Sequence, residues 1–354
     1  VDAATAPPVE LPRHCTFDRA DWLILSTHWF PVARIEDIGA APVGAVLLDQ
    51  KLVLYRAGED IVVADDLCPH RGVPLSLGVA DGDGIRCAYH GLRFGAQGQC
   101  VHVPASPDNR IPTRLHLRTY KAQFAYGLVW TRLRAPAADD PAHPTAGSLP
   151  RMPHWDNAGF QQITCPPFDI AGFAGRQMEG FLDVAHFAWV HTATFGDPAN
   201  STVPSYMPAR HDLGFSVDYR STVANYPTGV ANTAPPGFVW LRHFDVHLPF
   251  TATLTVHFPG PARLVIMNAA SPVSARATRL FAPIARNFDQ HIPIADVHEF
   301  NRRVFEEDRR IVEAQKPEFL PLDPSLEAHI PADRSSIAYR GGLRDLGFSP
   351  IFAA

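Results

Sequence analysis

Four residues in the first third of the chain have the types and spacing of a metal site. They are Cys68 and His70 in Cys68-Pro-His70-Arg-Gly72, then Cys87 and His90 in Cys87-Ala-Tyr-His90-Gly91, with sixteen residues between His70 and Cys87. Each segment gives a thiolate first and an imidazole second, among Pro and Gly residues that make tight turns. Structural zinc is the plain alternative, but a Cys₂His₂ finger keeps both cysteines in one loop and both histidines in another. Here each loop supplies one ligand of each kind. That suits a binuclear iron cluster in which the thiolates hold one iron and the imidazoles the other. Neutral imidazoles lower the negative charge of such a cluster and raise its potential, which is the property of a Rieske [2Fe–2S] centre. Cys15, Cys100 and Cys165 have no comparable partner and read as ordinary small buried or surface residues.

A second constellation lies in Phe181-Leu-Asp183-Val-Ala-His186-Phe-Ala-Trp-Val-His191, which is apolar apart from Asp183, His186 and His191. On a helix apolar nearly all round, ionisable side chains are costly unless paired or bound to metal. Asp183 and His186 are three apart and share a face. His186 and His191 are five apart, so joint coordination requires a π-bulge or a helix end between them. A carboxylate should complete the set. In the late helical segment Val297, Phe300, Val304, Ile311 and Gln315 trace one face, and Asp308 fills its seven-residue gap. Glu306 and Glu307 are expected to point away from that stripe, with Glu307 the second choice of ligand. Two histidines and one carboxylate beside open positions make a non-haem Fe(II) site. Core histidines satisfied by hydrogen bonds are the structural alternative.

The elements that must position these residues follow from pattern and composition. The chain has 354 residues, 46% hydrophobic and 19% charged, as for an ordinary globular protein of about two domains. A net charge of −5 without a dense basic stripe argues against nucleic acid. No apolar run is long enough to span a membrane. Five cysteines, an odd number, argue for a reducing compartment, and the expected location is cytoplasmic. Residues 21–133 read as short strands: Ala45–Asp49 and Leu52–Tyr55 around a Gln50-Lys51 turn, then Ile61–Ala64 and Phe124–Thr131. The proline-rich Ala135–Pro144 stretch divides residues 1–145 from 146–354. The second part reads as a helix near Phe173–Val190, five strands between Phe215 and Ala285, and a helix from Ile294 to Gln315. The tail past Pro317 gives no clear element. The fold class is α+β, an all-β domain followed by an antiparallel sheet with flanking helices.

With these residues in place the sequence resembles the α-subunits of Rieske non-haem iron oxygenases. The likeness runs from Trp29-Phe-Pro-Val32 through the late helix. It covers the pattern Asp-x-x-His-x-x-x-x-His at Asp183–His191 and the Glu-Asp pair at Glu307-Asp308. Val73 and Tyr89 stand where respiratory Rieske proteins carry extra cysteines, which favours the oxygenase branch. The nearest group holds vanillate and dicamba demethylases with phthalate and chlorobenzoate dioxygenases. The resemblance implies a catalytic domain of helix-grip type, a [2Fe–2S] cluster on Cys68, His70, Cys87 and His90, and Fe(II) on His186, His191 and Asp308. It implies that Asp183 bridges His186 to His90 of a neighbouring copy in a head-to-tail homo-oligomer, usually a trimer. It also implies O₂ as co-substrate and a separate NAD(P)H-dependent reductase, since no plant-ferredoxin cysteine pattern or dinucleotide loop occurs here. Related demethylases often have Asn three residues before the bridging acid, where this chain has Gly180.

The implied reaction is hydroxylation or dihydroxylation of a small aromatic substrate, with an aromatic carboxylate expected. Oxidative O- or N-demethylation of a methoxy or methylamino aromatic is the alternative. Asn268 is the first candidate for a polar substrate anchor, by analogy with demethylases. Arg242 and His243 come next, of which at most one reaches the pocket because strand neighbours face opposite ways. The rival classes are a Rieske electron carrier, for which the chain is too long, and a zinc-stabilised binding module without catalysis.

Overall fold

The computed structural model describes residues 9–136, 147–224 and 234–352. The expected boundary between residues 145 and 146 lies outside them. The first unit is built from β-hairpins. Val43–Leu47 and Gln50–Ala57 pair around Leu48 and Asp49, whose φ values of 52° and 65° form the turn two residues before the expected Gln50-Lys51. Leu48 can stand in this turn because it is buried against the second unit, while Asp49 is half-buried. Leu48 and Asp49 donate their amides to Pro272 and Val273 of the second unit, and Leu48 accepts the Trp22 indole N–H. Asp60–Asp65 and Thr119–Tyr120 complete a four-stranded antiparallel sheet.

A second four-stranded sheet has short strands between Val79 and His102; the Cys87 loop joins Ile85–Arg86 to Arg93–Phe94 within it, and the Cys68 loop leads into it from Asp60–Asp65 of the first sheet. The expected strand Phe124–Thr131 is instead a hairpin, Ala122–Ala125 and Leu128–Thr131, turned at Tyr126-Gly127 with φ of 61° and 73°. Only glycine fits the second position, since a Cβ on Gly127 would lie 2.2 Å from Thr164 Oγ1. This hairpin joins Phe30–Arg34 in a three-stranded sheet.

The second unit is a nine-stranded antiparallel sheet. Its centre is the hairpin series Gly214–Ser221, Trp240–His247, Thr251–His257 and Arg263–Ser274. The last strand is long enough to pair twice, with Pro283–Arg286 at its start and Ala277–Phe281 at its end. The single strand expected over Arg279–Ala285 is therefore two, broken at Ala282 before Pro283. Among the described residues there are five α-helices: α1 (Arg19–Leu25), α2 (Ala174–Leu182), α3 (Phe187–Val190), α4 (Ile294–Val312) and α5 (Arg334–Asp345).

Helices α1 and α5 were not expected from the sequence. Helix α5 holds two glycines and three arginines in its span, and it is fixed by tertiary partners rather than by its own pattern. Arg340 binds Glu179 of α2 through two bonds of 2.6 and 2.8 Å and Glu327 at 2.6 Å, while Tyr339 donates to the Pro249 carbonyl. One apolar cluster joins Leu47, Leu48 and Leu54 of the first unit to Phe173, Phe250 and Tyr339 of the second. Another joins Trp29 and Trp130 to Met267 and Phe281. Among the described residues no helix is long and apolar enough to cross a membrane.

Candidate metal centres and their cavity

The two cysteine–histidine loops are near copies of one another. In each, the cysteine amide donates to a carbonyl five residues on (Val73 or Leu92), and the cysteine carbonyl accepts from the glycine four residues on. Those glycines, Gly72 and Gly91, take φ of 71° and 69°, the left-handed conformation that closes each turn. The result is graded in depth. Cys68 and Cys87 are buried, while His70 and His90 are exposed with ring centroids 4.7 Å apart. Burial pushes the Cys68 thiol up to about 11, and the adjacent Cys87 sulfur adds to the rise. Two inward sulfurs and two outward imidazoles fit a cluster whose thiolate-held iron is sheltered and whose imidazole-held iron meets solvent or a partner. The Tyr89 ring lies against His90, centroids 3.8 Å apart and planes tilted by 36°, and is itself exposed, as are Leu67 and Leu77.

The second constellation is made by a broken helix. Helix α2 stops at Asp183, whose extended backbone (φ −83°, ψ 119°) turns the chain. Helix α3 is a single turn with His186 before its first residue and His191 after its last. That helix end is what brings residues five apart together. His186 Nε2 and His191 Nε2 lie 3.1 Å apart, and Asp308 Oδ1 is 3.5 and 3.2 Å from them. Metal–ligand bonds of about 2.1 Å at near-right angles put donor atoms about 3.0 Å apart, so the triangle is of the size an iron requires. Two imidazole nitrogens facing each other at this distance want a cation between them. The three residues also form a group in which one atom each lies within 4.8 Å of the others.

Each imidazole is steadied from behind by a carboxylate. His186 Nδ1 is 3.4 Å from Asp183 Oδ2, and Asp183 Oδ1 accepts the Ala185 amide. His191 Nδ1 donates to Glu307 Oε2 at 3.0 Å, and Glu307 also accepts from Thr194 Oγ1 and the Ala193 amide. Such pairs fix the tautomer that presents Nε2 to a metal. Burial works against a charge on His186, but Asp183 and Asp308 outweigh it and push its pKa up to about 9. Burial alone would raise the Asp308 carboxyl, yet the imidazoles of His186 and His191 hold it below the usual carboxylate range.

The expectation that Glu307 points away from the site is therefore corrected. It faces His191, one residue before Asp308 on α4. The apolar stripe of α4 also departs from the expected one: Ile311 is exposed, and Val297, Asn301 and Val312 are the buried positions. The periodicity located the face but not its drift toward Val312.

The triad opens on a cavity of about 310 Å³ between α4 and the sheet. Its walls are mostly aromatic and branched, with Phe187, Phe195 and Phe258 among them, and Arg286, Asp289, Asp296 and Asn301 supply polar groups away from the triad. None of the three expected substrate anchors lines it. Asn268 lies under α2, where it accepts from Gln177 and contacts Met178 Sδ. Arg242 is fully buried and donates to the Val223 and Ala224 carbonyls. His243, on the opposite face, binds Asp218 at 2.7 Å. Strand alternation gave their faces correctly, but not which part of the sheet the helices cover. Arg286 and Asn301 were missed because each stands alone among ordinary strand or helix residues.

Comparison with known proteins places these sites in a family. The Rieske [2Fe-2S] domain family matches residues 28–121, and the vanillate O-demethylase oxygenase C-terminal domain family matches residues 175–347. The methylxanthine N1-demethylase NdmA of Pseudomonas putida is 30% identical over 325 residues, covering 90% of this chain and 88% of its own. The methylxanthine N3-demethylase NdmB of the same species is 30% identical over 345 residues, covering 94% and 92%. The solved structure of NdmA with caffeine superposes with a TM-score of 0.78 at 29% identity, covering 92% of this chain and 91% of that one.

Proposed function

The chain belongs to the Rieske non-haem iron oxygenases, with a catalytic domain of the vanillate O-demethylase type, and from that premise we propose that it removes a methyl group from nitrogen or oxygen of a small aromatic substrate. The observation that carries the proposal is the His186–His191–Asp308 triangle opening on an apolar cavity. Relatives with full-length likeness are named as demethylases, which supports methyl removal over ring hydroxylation or dihydroxylation, the reading the sequence had put first. Overall, R–X–CH₃, O₂, NAD(P)H and a proton give R–XH, formaldehyde, water and NAD(P)⁺.

When bound, the cluster would supply single electrons and the mononuclear iron would supply dioxygen activation. Cys68, His70, Cys87 and His90 would hold the first, and His186, His191 and Asp308 the second. Asp183 keeps the His186 proton on Nδ1 and Glu307 does the same for His191, so both Nε2 lone pairs face the metal position. Asp183 is the positioning residue through which His186 would meet His90 of a neighbouring copy, in a head-to-tail trimer served by a separate NAD(P)H-dependent reductase. The aromatic walls exclude water and press a methyl group toward the triad.

The test is product analysis with holoenzyme, a surrogate reductase and a panel of methoxybenzoates and N-methylated heteroaromatics. Formaldehyde released in step with NADH consumption is expected. Hydroxylated rings retaining every methyl group would overturn the proposal.

A further inference from the structure

The unit that carries the two cysteine–histidine loops is basic, although the chain as a whole is acidic. The chain has a net charge of −5, yet residues 68–116 hold Arg71, Arg86, Arg93, Arg110 and Arg114 against Asp81, Asp83 and Asp108. Arg93 takes both Asp81 and Asp83, at 2.9 and 3.2 Å. Arg71, Arg86, Arg110 and Arg114 are exposed, and among the described residues none of their guanidinium groups has an ion-pair or hydrogen-bond partner. Within the segment only Asp108 is left to offset them.

These arginines stand on the segments that frame the two exposed imidazoles. Arg71 follows His70 in the first loop, and Arg86 precedes Cys87 on a strand whose Ile85 is buried. Pro104 packs against Gly91 of the second loop, where an added Cβ would lie 3.1 Å from the proline ring. From there the chain runs on to Arg110 and Arg114, while Val103, Ile111 and Leu115 pack on the apolar cluster that includes Cys68 and Cys87. Leu67 and Tyr89 add exposed apolar surface at the same two loops. Unpaired like charges around an exposed redox centre favour reversible contact with a protein of opposite charge. The chain's own surface beside Asp183 is a poor source of that charge, because Glu179 is held by Arg340, and Glu327 by Arg176 and Arg340.

We propose that Arg71, Arg86, Arg110 and Arg114 form the docking surface for an acidic electron-transfer protein, a ferredoxin-type domain that delivers electrons at His70 and leaves His90 to the neighbouring copy. This rests on the reading that electrons come from a separate reductase. One electron passes per encounter: the donor's iron–sulfur centre is oxidised, the Rieske centre is reduced, and no bond is made or broken. Plant-type [2Fe–2S] centres lie below Rieske centres in potential, so the transfer runs downhill. Electrostatic steering raises association about ten- to a thousandfold, and it fades as the screening length shrinks from about 30 Å at 0.01 M salt to about 3 Å at 1 M.

The experiment uses holoenzyme and an acidic plant-type [2Fe–2S] ferredoxin as the probe. Binding of the oxidised ferredoxin is measured by biolayer interferometry across that salt range, and reduction of the Rieske centre by the reduced ferredoxin is followed in stopped-flow absorbance. Native affinity should fall at least about tenfold from low to high salt, and Arg110→Glu with Arg114→Glu should lose about tenfold at low salt and little at high salt. Arg110→Lys with Arg114→Lys should bind like the native protein. Reduction by ferredoxin should slow in step with binding, while dithionite bleaches native protein and variants alike. Affinity that ignores salt, or a charge-reversed variant that binds as well as the native protein at low salt, would overturn the inference. So would arginine-dependent binding that leaves the Rieske centre oxidised. A charge-reversed variant whose oligomer comes apart in sedimentation would assign the arginines to contact between copies and overturn it as well. Reduction of the centre by NADH with no added protein would instead remove the separate reductase, and the binding arm would still decide the docking surface.

Discussion

Replacing Glu307 separates metal positioning from metal ligation. Its carboxylate touches no ligand atom of the triad; it holds His191 from behind through Nδ1 at 3.0 Å and accepts two further bonds, from Thr194 Oγ1 and the Ala193 amide. Carboxylates behind metal-bound histidines are worth about ten- to a hundredfold in metal affinity, or about 1.4–2.7 kcal/mol. Glu307→Gln keeps the shape and one acceptor oxygen but removes the charge, so it belongs at the tenfold end. Glu307→Ala leaves the imidazole free to rotate and belongs near a hundredfold. Fe(II) affinity is read by equilibrium dialysis against a competing chelator, with visible absorbance of the cluster as an internal control because Cys68 and Cys87 lie in the other unit. Native iron affinity in Glu307→Ala would refute the argument, and so would joint loss of iron and cluster, since the effect would then be global rather than an imidazole set loose.

Asp183→Asn should leave both iron sites loaded and yet abolish turnover coupled to cluster oxidation, seen as a cluster that stays reduced in stopped-flow absorbance; retained turnover would count against the positioning role. His186→Ala should lose the mononuclear iron while keeping the cluster's colour, measured by iron analysis and visible spectra, and a bleached protein would mean that the two sites are not independent. Arg340→Ala removes the partner of the buried Glu179 carboxylate, so unfolding in urea should show a loss of about 3–5 kcal/mol, and a change below about 1 kcal/mol would mean that Arg176 and water suffice.

The parts of the site legible in the sequence were those with a local chemical signature. The Cys-x-His and Cys-x-x-His loops carry their own turn residues, and the His186–His191 spacing demanded a π-bulge or a helix end, of which the structure has the helix end. Asp308 could be reached because it interrupts an apolar stripe. The rest depends on packing. Glu307 serves His191 from 116 residues away; the sequence marked it as an alternative ligand beside Asp308, and only the packing of α4 against the His191 turn shows that it backs an imidazole instead. Leu48 takes a turn position and is buried there because the turn docks on the second unit, so an apolar residue stands where turn chemistry favours a polar one. Asn268 was expected as an anchor by analogy with demethylases and Arg242 as a polar strand residue after it, yet the helix layer and nearby carbonyls claim them. Helix α5 has a weak pattern of its own and exists through Arg340 and Tyr339.

Helix α4 couples two tasks that many enzymes assign to separate segments. Val297, Phe300, Asn301 and Val304 shape the cavity, and Asp308 completes the triad, on one uninterrupted span of nineteen residues. Inserting or deleting a single residue between them would swing the carboxylate through about 100° and shift it by about 1.5 Å. Size and polarity along this wall are therefore free to diverge by exchange of side chains, whereas its length is not. Lineages that acquire new preferences by way of this helix must do so letter by letter, with every turn kept in phase.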